Sequence, residues 1–239
     1  MITVETIRAL AAQFQTTELN VRREYFQHLF LSYFYQQPLT DQIYFTGGTA
    51  LRVLYNSPRF SEDLDFSSCV LDIHTLEGIV VDTLAEIARE NIEVDVAESK
   101  ITSGGYLAII AFAGSDMPVS VKLEISLREG EKRGEVVTIV SEFIPAYIII
   151  SLAREQLIEE KIQALLFRQK ACDFYDLYFL LRANLVRPGE RDALPQALET
   201  VKQSKIDFEQ ELKEFLPRNH RAILRGFQTT LAREIERFV

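Results

Sequence analysis

The sequence predicts an α+β protein, with a mixed α/β domain over residues 1–150 and a helical domain over residues 151–239. Two observations support this division. Short runs of alternating apolar and polar residues, typical of strands, recur in the first part of the chain. Beyond residue 150 they stop, and apolar residues recur at helical spacing instead. The chain is therefore expected to form two domains with an approximate boundary near residue 150.

The elements of the first domain follow from these periods. The first forty residues are predicted to be helical and to end near Pro38. Helices are also expected at residues 49–55 and 76–89. Strands are expected at the short apolar or alternating runs over residues 43–45, 63–66, 92–97, 106–112, 119–127, 136–140 and 147–150.

The second domain is predicted from two amphipathic faces. The first face consists of Leu157, Ile158, Ile162, Leu165 and Leu166. The second consists of Phe174, Leu177, Tyr178 and Leu181. Residues three and four apart lie on one side of a helix, so each set describes a helix with one buried face.

Composition limits the function classes. The chain has 239 residues, of which 47% are hydrophobic, and no apolar run reaches the roughly 20 residues that cross a bilayer, so we expect a cytoplasmic protein without a membrane partner. A net charge of −9 argues against a general nucleic-acid coat protein. Cys69 and Cys172 lack metal-site spacing and are expected to be reduced thiols.

A glycine pair separates the first strand from the helix that follows it. Gly47 and Gly48, with Thr49 after them, would let backbone amides approach a phosphate group at the start of that helix. Glycine pairs also serve as simple turns. Taken alone, the pair therefore leaves both interpretations open.

Two carboxylates follow on the next strand. Asp63 and Asp65 are two residues apart, so their side chains point to the same side of the strand. Like charges at this spacing repel each other unless a cation lies between them. Mg²⁺ prefers oxygen ligands and can also bind the phosphates of a nucleotide. An ordinary exposed strand edge is the alternative.

A later strand supplies a third acid. Lys122 and Glu124 alternate with Val121, Leu123 and Ile125, which predicts one polar and one apolar face. If this strand lies beside the one with Asp63 and Asp65, Glu124 completes a set of three carboxylates. Three carboxylates can hold two metal ions, which would activate an attacking hydroxyl and stabilise a leaving pyrophosphate. The alternative for Glu124 is an exposed Lys/Glu alternation.

The order of these motifs resembles the polymerase-β-like nucleotidyltransferases, and the detail resembles the AbiEii/AbiGii family of toxin nucleotidyltransferases. The matching segments lie within residues 43–181 and read FTGGTALR from Phe45, RFSEDLDFS from Arg59, KLE from Lys122, EKIQAL from Glu160 with Arg168, and DFYDLY from Asp173.

The resemblance implies a polymerase-β-like nucleotidyltransferase domain with a mixed sheet, followed by the helical domain. It implies that Gly47, Gly48 and Thr49 hold a triphosphate, that Asp63 and Asp65 bind metal, and that Glu124 is the third acid. Glu124 stands where the family often has aspartate. The catalytic set predicted from these motifs is Asp63, Asp65, Glu124 and Lys161.

Charged residues elsewhere complete the predicted nucleotide site. Lys161 and Arg168 are seven residues apart and project from one helix face, where they would neutralise a triphosphate, or else extend from a packed helix. Asp176 would orient one of them or play a structural part. Arg59 and Ser61, just ahead of the acids, are expected to contact phosphate or substrate.

The resemblance implies transfer of a nucleoside monophosphate from an NTP to an acceptor hydroxyl, with one or two Mg²⁺ ions and release of pyrophosphate. The expected acceptor is an RNA, specifically tRNA, and the expected biology is a toxin with a cognate antitoxin. Two alternatives remain open. The acceptor is a small molecule or a protein, or the chain is a catalytically idle nucleotide-binding module.

Overall fold

The computed structural model of this protein describes residues 2–68, 72–113, 118–127 and 130–239, so Cys69 lies outside the described residues. The chain divides into two units. The first consists of Met1–Asn56 and Phe60–Ala153, and the second of Ser57–Arg59 and Arg154–Val239. In the second unit Cys172 is a free thiol.

A seven-stranded sheet forms the centre of the first unit, in the order β3-β4-β5-β2-β1-β7-β6. The strands are Tyr44–Thr46 (β1), Asp63–Ser68 (β2), Glu93–Thr102 (β3), Gly105–Ala113 (β4), Val119–Leu127 (β5), Gly134–Ile139 (β6) and Tyr147–Leu152 (β7). Two of the pairings, β2 with β5 and β1 with β7, are parallel, and the others are antiparallel. The predicted mixed sheet is therefore confirmed.

The helices of the first unit are Val4–Gln13 (α1), Glu18–Phe34 (α2), Gly47–Tyr55 (α3) and Ile73–Arg89 (α4). The predicted N-terminal helical segment consists of two helices, α1 and α2, with a break between them. Gln15 adopts a left-handed conformation with φ 54°. The Thr17 side chain then accepts a hydrogen bond from the Asn20 amide at 3.2 Å, which caps α2 at its start.

One face of the sheet is packed against aromatic side chains of α2. Phe34 lies 4.9 Å from Phe66 on β2, and Phe26 stacks at 4.5 Å on Phe112 of β4, measured between ring centroids. Leu64 and Phe66 are both buried. Since strand side chains alternate between faces, Asp63 and Asp65 point to the side of β2 opposite α2.

A buried histidine makes the stability of the first unit sensitive to pH. His28 is 5% exposed and its Nδ1 lies 2.8 Å from the Tyr147 hydroxyl. Burial, with a smaller contribution from Arg52, lowers the pKa of His28 from 6.5 to about 4. Between these two pH values the unfolded chain binds a proton that the folded chain excludes.

Acidification from pH 6.5 to pH 4 is therefore expected to lower the free energy of unfolding through His28 by about 3 kcal/mol. Urea unfolding at a series of pH values measures this slope. His28→Gln should flatten it, whereas His220→Gln, at an exposed position, should leave it unchanged. An equal slope in the wild type and His28→Gln would contradict the assignment.

The second unit is helical, as predicted. Its α-helices are Arg154–Phe167 (α5), Ala171–Arg182 (α6), Leu194–Gln203 (α7), Phe208–Leu212 (α8) and Phe227–Glu236 (α9). Aromatic rings from α6, α8 and α9 form its core, with Phe208 lying 5.3 Å from Phe174 and 4.9 Å from Phe227. Among the described residues, no helix is both long and apolar enough to cross a membrane.

Candidate active site

Three carboxylates converge on the polar face of β2 and β5. The two strands run parallel, and their register places Asp65 beside Glu124 and Asp63 beside Lys122. One carboxylate oxygen from each of Asp63, Asp65 and Glu124 lies within 4.8 Å of the others. All three side chains are only partly buried, so the cluster is open to solvent. Oxygen atoms at this spacing form a ligand set suited to a hard divalent cation.

Lys122 lies within the same cluster. Its Nζ is 3.0 Å from Oδ2 of Asp63 and 3.3 Å from Oε2 of Glu124. Partial burial alone would lower the pKa of Lys122, but these two carboxylates outweigh it and raise the pKa above its usual range. The ammonium group therefore remains charged at neutral pH. The sequence pattern placed Lys122 on this face without indicating that it binds two of the acids.

The glycine turn packs directly against the acids. β1 ends at Thr46, which is in register with Asp65, and α3 begins at Gly47. Gly47 has φ +84°, and a Cβ atom there would lie 2.0 Å from Oδ2 of Asp65. The Thr49 hydroxyl donates a hydrogen bond of 2.5 Å to the backbone carbonyl of Asp63. The start of α3 is thus fixed to both ends of the acidic segment.

The amino end of α3 is suited to binding a phosphate group. The first amides of an α-helix have no acceptor within the helix, and the helix dipole favours an anion at that end. At α3 these amides belong to the segment Gly47–Thr49, which lies against Asp65. Phosphate oxygens bound there would be close to a cation held by the carboxylates.

Gly47→Ala is expected to be damaging for two reasons. The left-handed backbone and the contact with Asp65 together should cost roughly 1–3 kcal/mol of stability. The displaced Asp65 should lower the rate of nucleotidyl transfer about a hundredfold.

Gly78→Ala in α4 is the matched control. Nothing lies within 4 Å of a Cβ atom at that position, so alanine should raise stability by roughly 0.5–1 kcal/mol and leave transfer unchanged. Thermal unfolding and initial transfer rates measure both effects. Wild-type activity in Gly47→Ala would contradict the close packing of turn and acid.

Ser61 and Arg52 are held by α2. The Ser61 carbonyl accepts a hydrogen bond of 3.0 Å from the Gln27 side chain. Arg52 donates to both oxygens of Glu24 at 2.5 and 2.9 Å, and its guanidinium lies 3.5 Å from the ring centroid of Phe60. Arg52 therefore has a structural role in fixing α3 to α2. The predicted substrate contact of Ser61 stays a prediction.

The second unit contains a buried charge cluster of its own. Asp176 on α6 accepts hydrogen bonds from Arg59 at 2.9 and 3.1 Å and from Lys161 on α5 at 2.8 Å. All three residues are buried, with Arg59 5% exposed, Lys161 6% exposed and Asp176 1% exposed. Burial would raise the pKa of Asp176, but Arg59 and Lys161 outweigh it and hold the pKa below its usual range. The cluster thus carries one net positive charge.

Arg168 belongs to a separate pair. Its guanidinium contacts both carboxylate oxygens of buried Asp173, with Nε at 3.1 Å from Oδ2. Asp173 also accepts a hydrogen bond of 2.9 Å from the Lys170 amide at the start of α6. The Arg168 side chain is 49% exposed, in contrast to buried Asp173.

The predicted site residues thus fall into three groups. Gly47, Gly48, Thr49, Asp63, Asp65 and Glu124 adjoin one another in the first unit, where Ser61 lies on the segment leading to β2. In the second unit Arg59, Lys161 and Asp176 form one cluster, and Arg168 pairs with Asp173. The catalytic and nucleotide-binding roles of all these residues stay predictions.

Comparison with known proteins identifies the family. The family model described as nucleotidyl transferase AbiEii toxin of type IV toxin–antitoxin systems matches residues 29–238. No curated protein matches the chain.

Solved structures from Helicobacter pylori share the fold. JHP933 is 21% identical with a TM-score of 0.61, and the match covers 93% of this chain and 95% of that one. A candidate nucleotidyltransferase from the same organism is 22% identical with a TM-score of 0.57, over 93% and 99% of the two chains. The family model spans both the acidic cluster and the helical unit, and the chain therefore belongs to the AbiEii family of nucleotidyltransferase toxins.

Proposed function

We propose that the protein transfers a nucleoside monophosphate from an NTP to a hydroxyl group of an RNA, with release of pyrophosphate. The observation that carries this proposal is the convergence of Asp63, Asp65 and Glu124 beside the amino end of α3. A cation site adjoining a phosphate-binding helix end matches the needs of a metal-bound triphosphate. Membership of the AbiEii family supplies the reaction class.

The donor set fits magnesium. Asp63, Asp65 and Glu124 offer carboxylate oxygens within 4.8 Å of one another, and the partial exposure of the three side chains leaves room for water ligands. Magnesium, when bound, would supply positive charge that activates the attacking hydroxyl and stabilises the leaving pyrophosphate. The three carboxylates would hold the ion, and Gly47 keeps Asp65 in place by leaving no space between the turn and that side chain.

The remaining polar groups are proposed to bind the nucleotide. The amides of the Gly47–Thr49 segment would donate hydrogen bonds to phosphate oxygens at the start of α3. Arg59 and Lys161 are proposed to contribute to nucleotide binding, with Asp176 orienting both through its hydrogen bonds. Arg168 is proposed to contribute through the exposed part of its side chain.

A tRNA is the proposed acceptor, and the proposed biology is growth inhibition by a toxin. The family implies an NTP substrate and a cognate antitoxin. A net charge of −9 means that RNA must be bound through a local basic surface rather than by overall attraction. Since a general coat protein is disfavoured on the same ground, a structured RNA with a defined end suits the chain better than long RNA.

Incubation of the purified protein with each α-labelled NTP, Mg²⁺ and total cellular RNA tests the acceptor. We expect one NTP to label a tRNA-sized band, and EDTA to abolish the labelling. Labelling of the protein itself would favour a protein acceptor, and labelling of a small-molecule extract would favour that class instead. Absence of label with every NTP and every acceptor would support an idle nucleotide-binding module.

A further inference from the structure

The ammonium group of Lys122 lies between two of the carboxylates that are proposed to bind a metal ion. Its Nζ contacts Oδ2 of Asp63 and Oε2 of Glu124, two of the three carboxylates that converge on this face. Its place is fixed by the sheet, because Lys122 is in register with Asp63 and two residues before Glu124 on β5. Backbone pairing therefore keeps the Lys122 side chain within reach of both carboxylates.

From this geometry we infer that Lys122 is an internal counter-ion of the three carboxylates and weakens their binding of a divalent cation in the absence of nucleotide. When a nucleotide binds, the ammonium group of Lys122 moves from the carboxylates to the phosphates. The inference rests on the proposed function and deepens it. Tight binding of the metal ion would then require a bound triphosphate.

The first half of the inference is electrostatic. Three carboxylates and one ammonium give the cluster a formal charge of −2 instead of −3. An ammonium in contact with Asp63 also lies within a few ångströms of any cation bound to the same carboxylate, where two positive charges repel each other. Both effects lower the affinity for a cation alone. Removing the charge of Lys122 should therefore tighten cation binding about tenfold.

The second half concerns where the ammonium goes. A lysine has a flexible four-carbon stem and three donors, so it can exchange a carboxylate for a phosphate oxygen a short distance away. The amino end of α3 lies against Asp65, which is two residues after Asp63 on β2 and in register with Glu124 on β5. A triphosphate bound there would offer Lys122 a stronger anionic partner. Removing Lys122 should therefore weaken nucleotide binding about tenfold.

Opposite effects on the two ligands are the signature that tests this inference. Mn²⁺ affinity is measured by electron paramagnetic resonance without nucleotide, for the wild type, Lys122→Met and Lys122→Arg. Affinity for each of the four α,β-methylene NTP analogues is then measured by calorimetry at saturating Mn²⁺. Lys122→Met should bind Mn²⁺ about tenfold more tightly and its preferred analogue about tenfold more weakly, while Lys122→Arg stays close to the wild type.

Lys100→Met is the matched control, because Lys100 pairs with Glu98 on β3 at 2.5 Å and is exposed. It removes the same charge outside the cluster and should change neither affinity. Thermal unfolding checks that each variant is folded. A Lys122→Met protein in which Mn²⁺ binding is unchanged or weaker, or in which the analogue binds as tightly as before, overturns the inference.

Asp65→Asn separates this inference from the proposed function. If Asp65→Asn abolishes Mn²⁺ binding but Lys122→Met does not tighten it, the metal site stands and the role of Lys122 is wrong. If neither the wild type nor Lys122→Met binds Mn²⁺ with or without nucleotide, the proposed metal site is wrong and the inference is overturned with it.

Discussion

Asp65→Asn is expected to reduce nucleotidyl transfer by about a thousandfold or more while leaving the protein folded. Asp65 lies between the other two elements of the site, in register with Glu124 on one side and with Thr46 on the other. Asparagine keeps the size and shape of the side chain, so the contact with Gly47 survives. What it removes is the charge that would attract a divalent cation.

Initial rates with a labelled NTP, at matched concentrations of folded protein, measure this effect. Asp95→Asn is the control, since it removes one carboxylate from an exposed position on β3 of the same sheet. That variant should retain wild-type transfer. Transfer by Asp65→Asn within about tenfold of the wild type would contradict the assignment of Asp65 to the cation site.

Asp176→Ala is expected to destabilise the second unit by about 3–5 kcal/mol. The carboxylate of Asp176 is 1% exposed and is the shared partner of buried Arg59 and Lys161. Without it, two buried cations lie next to each other with no anion between them, and neither can easily be hydrated. The lowered pKa of Asp176 means that its contribution is complete above the ordinary value of 3.8 and is lost only as pH falls through the lower folded value.

Urea unfolding at neutral pH, followed by far-ultraviolet circular dichroism, measures the loss. Asp192→Ala removes an exposed carboxylate from the same unit and should change stability by less than about 0.5 kcal/mol. Replacing the whole cluster, as Arg59→Met with Lys161→Met and Asp176→Leu, should recover most of the stability of Asp176→Ala. A loss below about 1 kcal/mol in Asp176→Ala would contradict the role of Asp176 as a buried counter-ion.

Local features of the fold could be predicted from the sequence, because they depend on how apolar and polar residues alternate over a few positions. Alternation in β2 and β5 predicted that Asp63, Asp65 and Glu124 project from polar strand faces, and the glycine pair predicted the place where α3 begins. The helical second part followed from spacing of three and four residues. The break between α1 and α2 was not predicted, because Thr17, which caps α2, carries a weak signal on its own.

Long-range pairing could not be predicted in the same way. The adjacency of β2 and β5 joins residues about sixty positions apart, and no local period encodes it. The partners of Asp176 illustrate the same limit, because Arg59 is 117 positions away in the chain. Lys122 was visible on the polar face, but its contacts with Asp63 and Glu124 depend on strand register. The resemblance to known nucleotidyltransferases, and not the periodicity, connected these segments in advance.

The position of the label in the NTP tests the central claim most directly. The preferred NTP is supplied in two parallel reactions, labelled either at the α-phosphate or at the γ-phosphate, with Mg²⁺ and total RNA. Nucleotidyl transfer predicts that the α label enters the RNA and that the γ label leaves as pyrophosphate, with both signals lost in Asp65→Asn. Entry of the γ label into any acceptor, or release of γ label as orthophosphate without incorporation of α label, would contradict it.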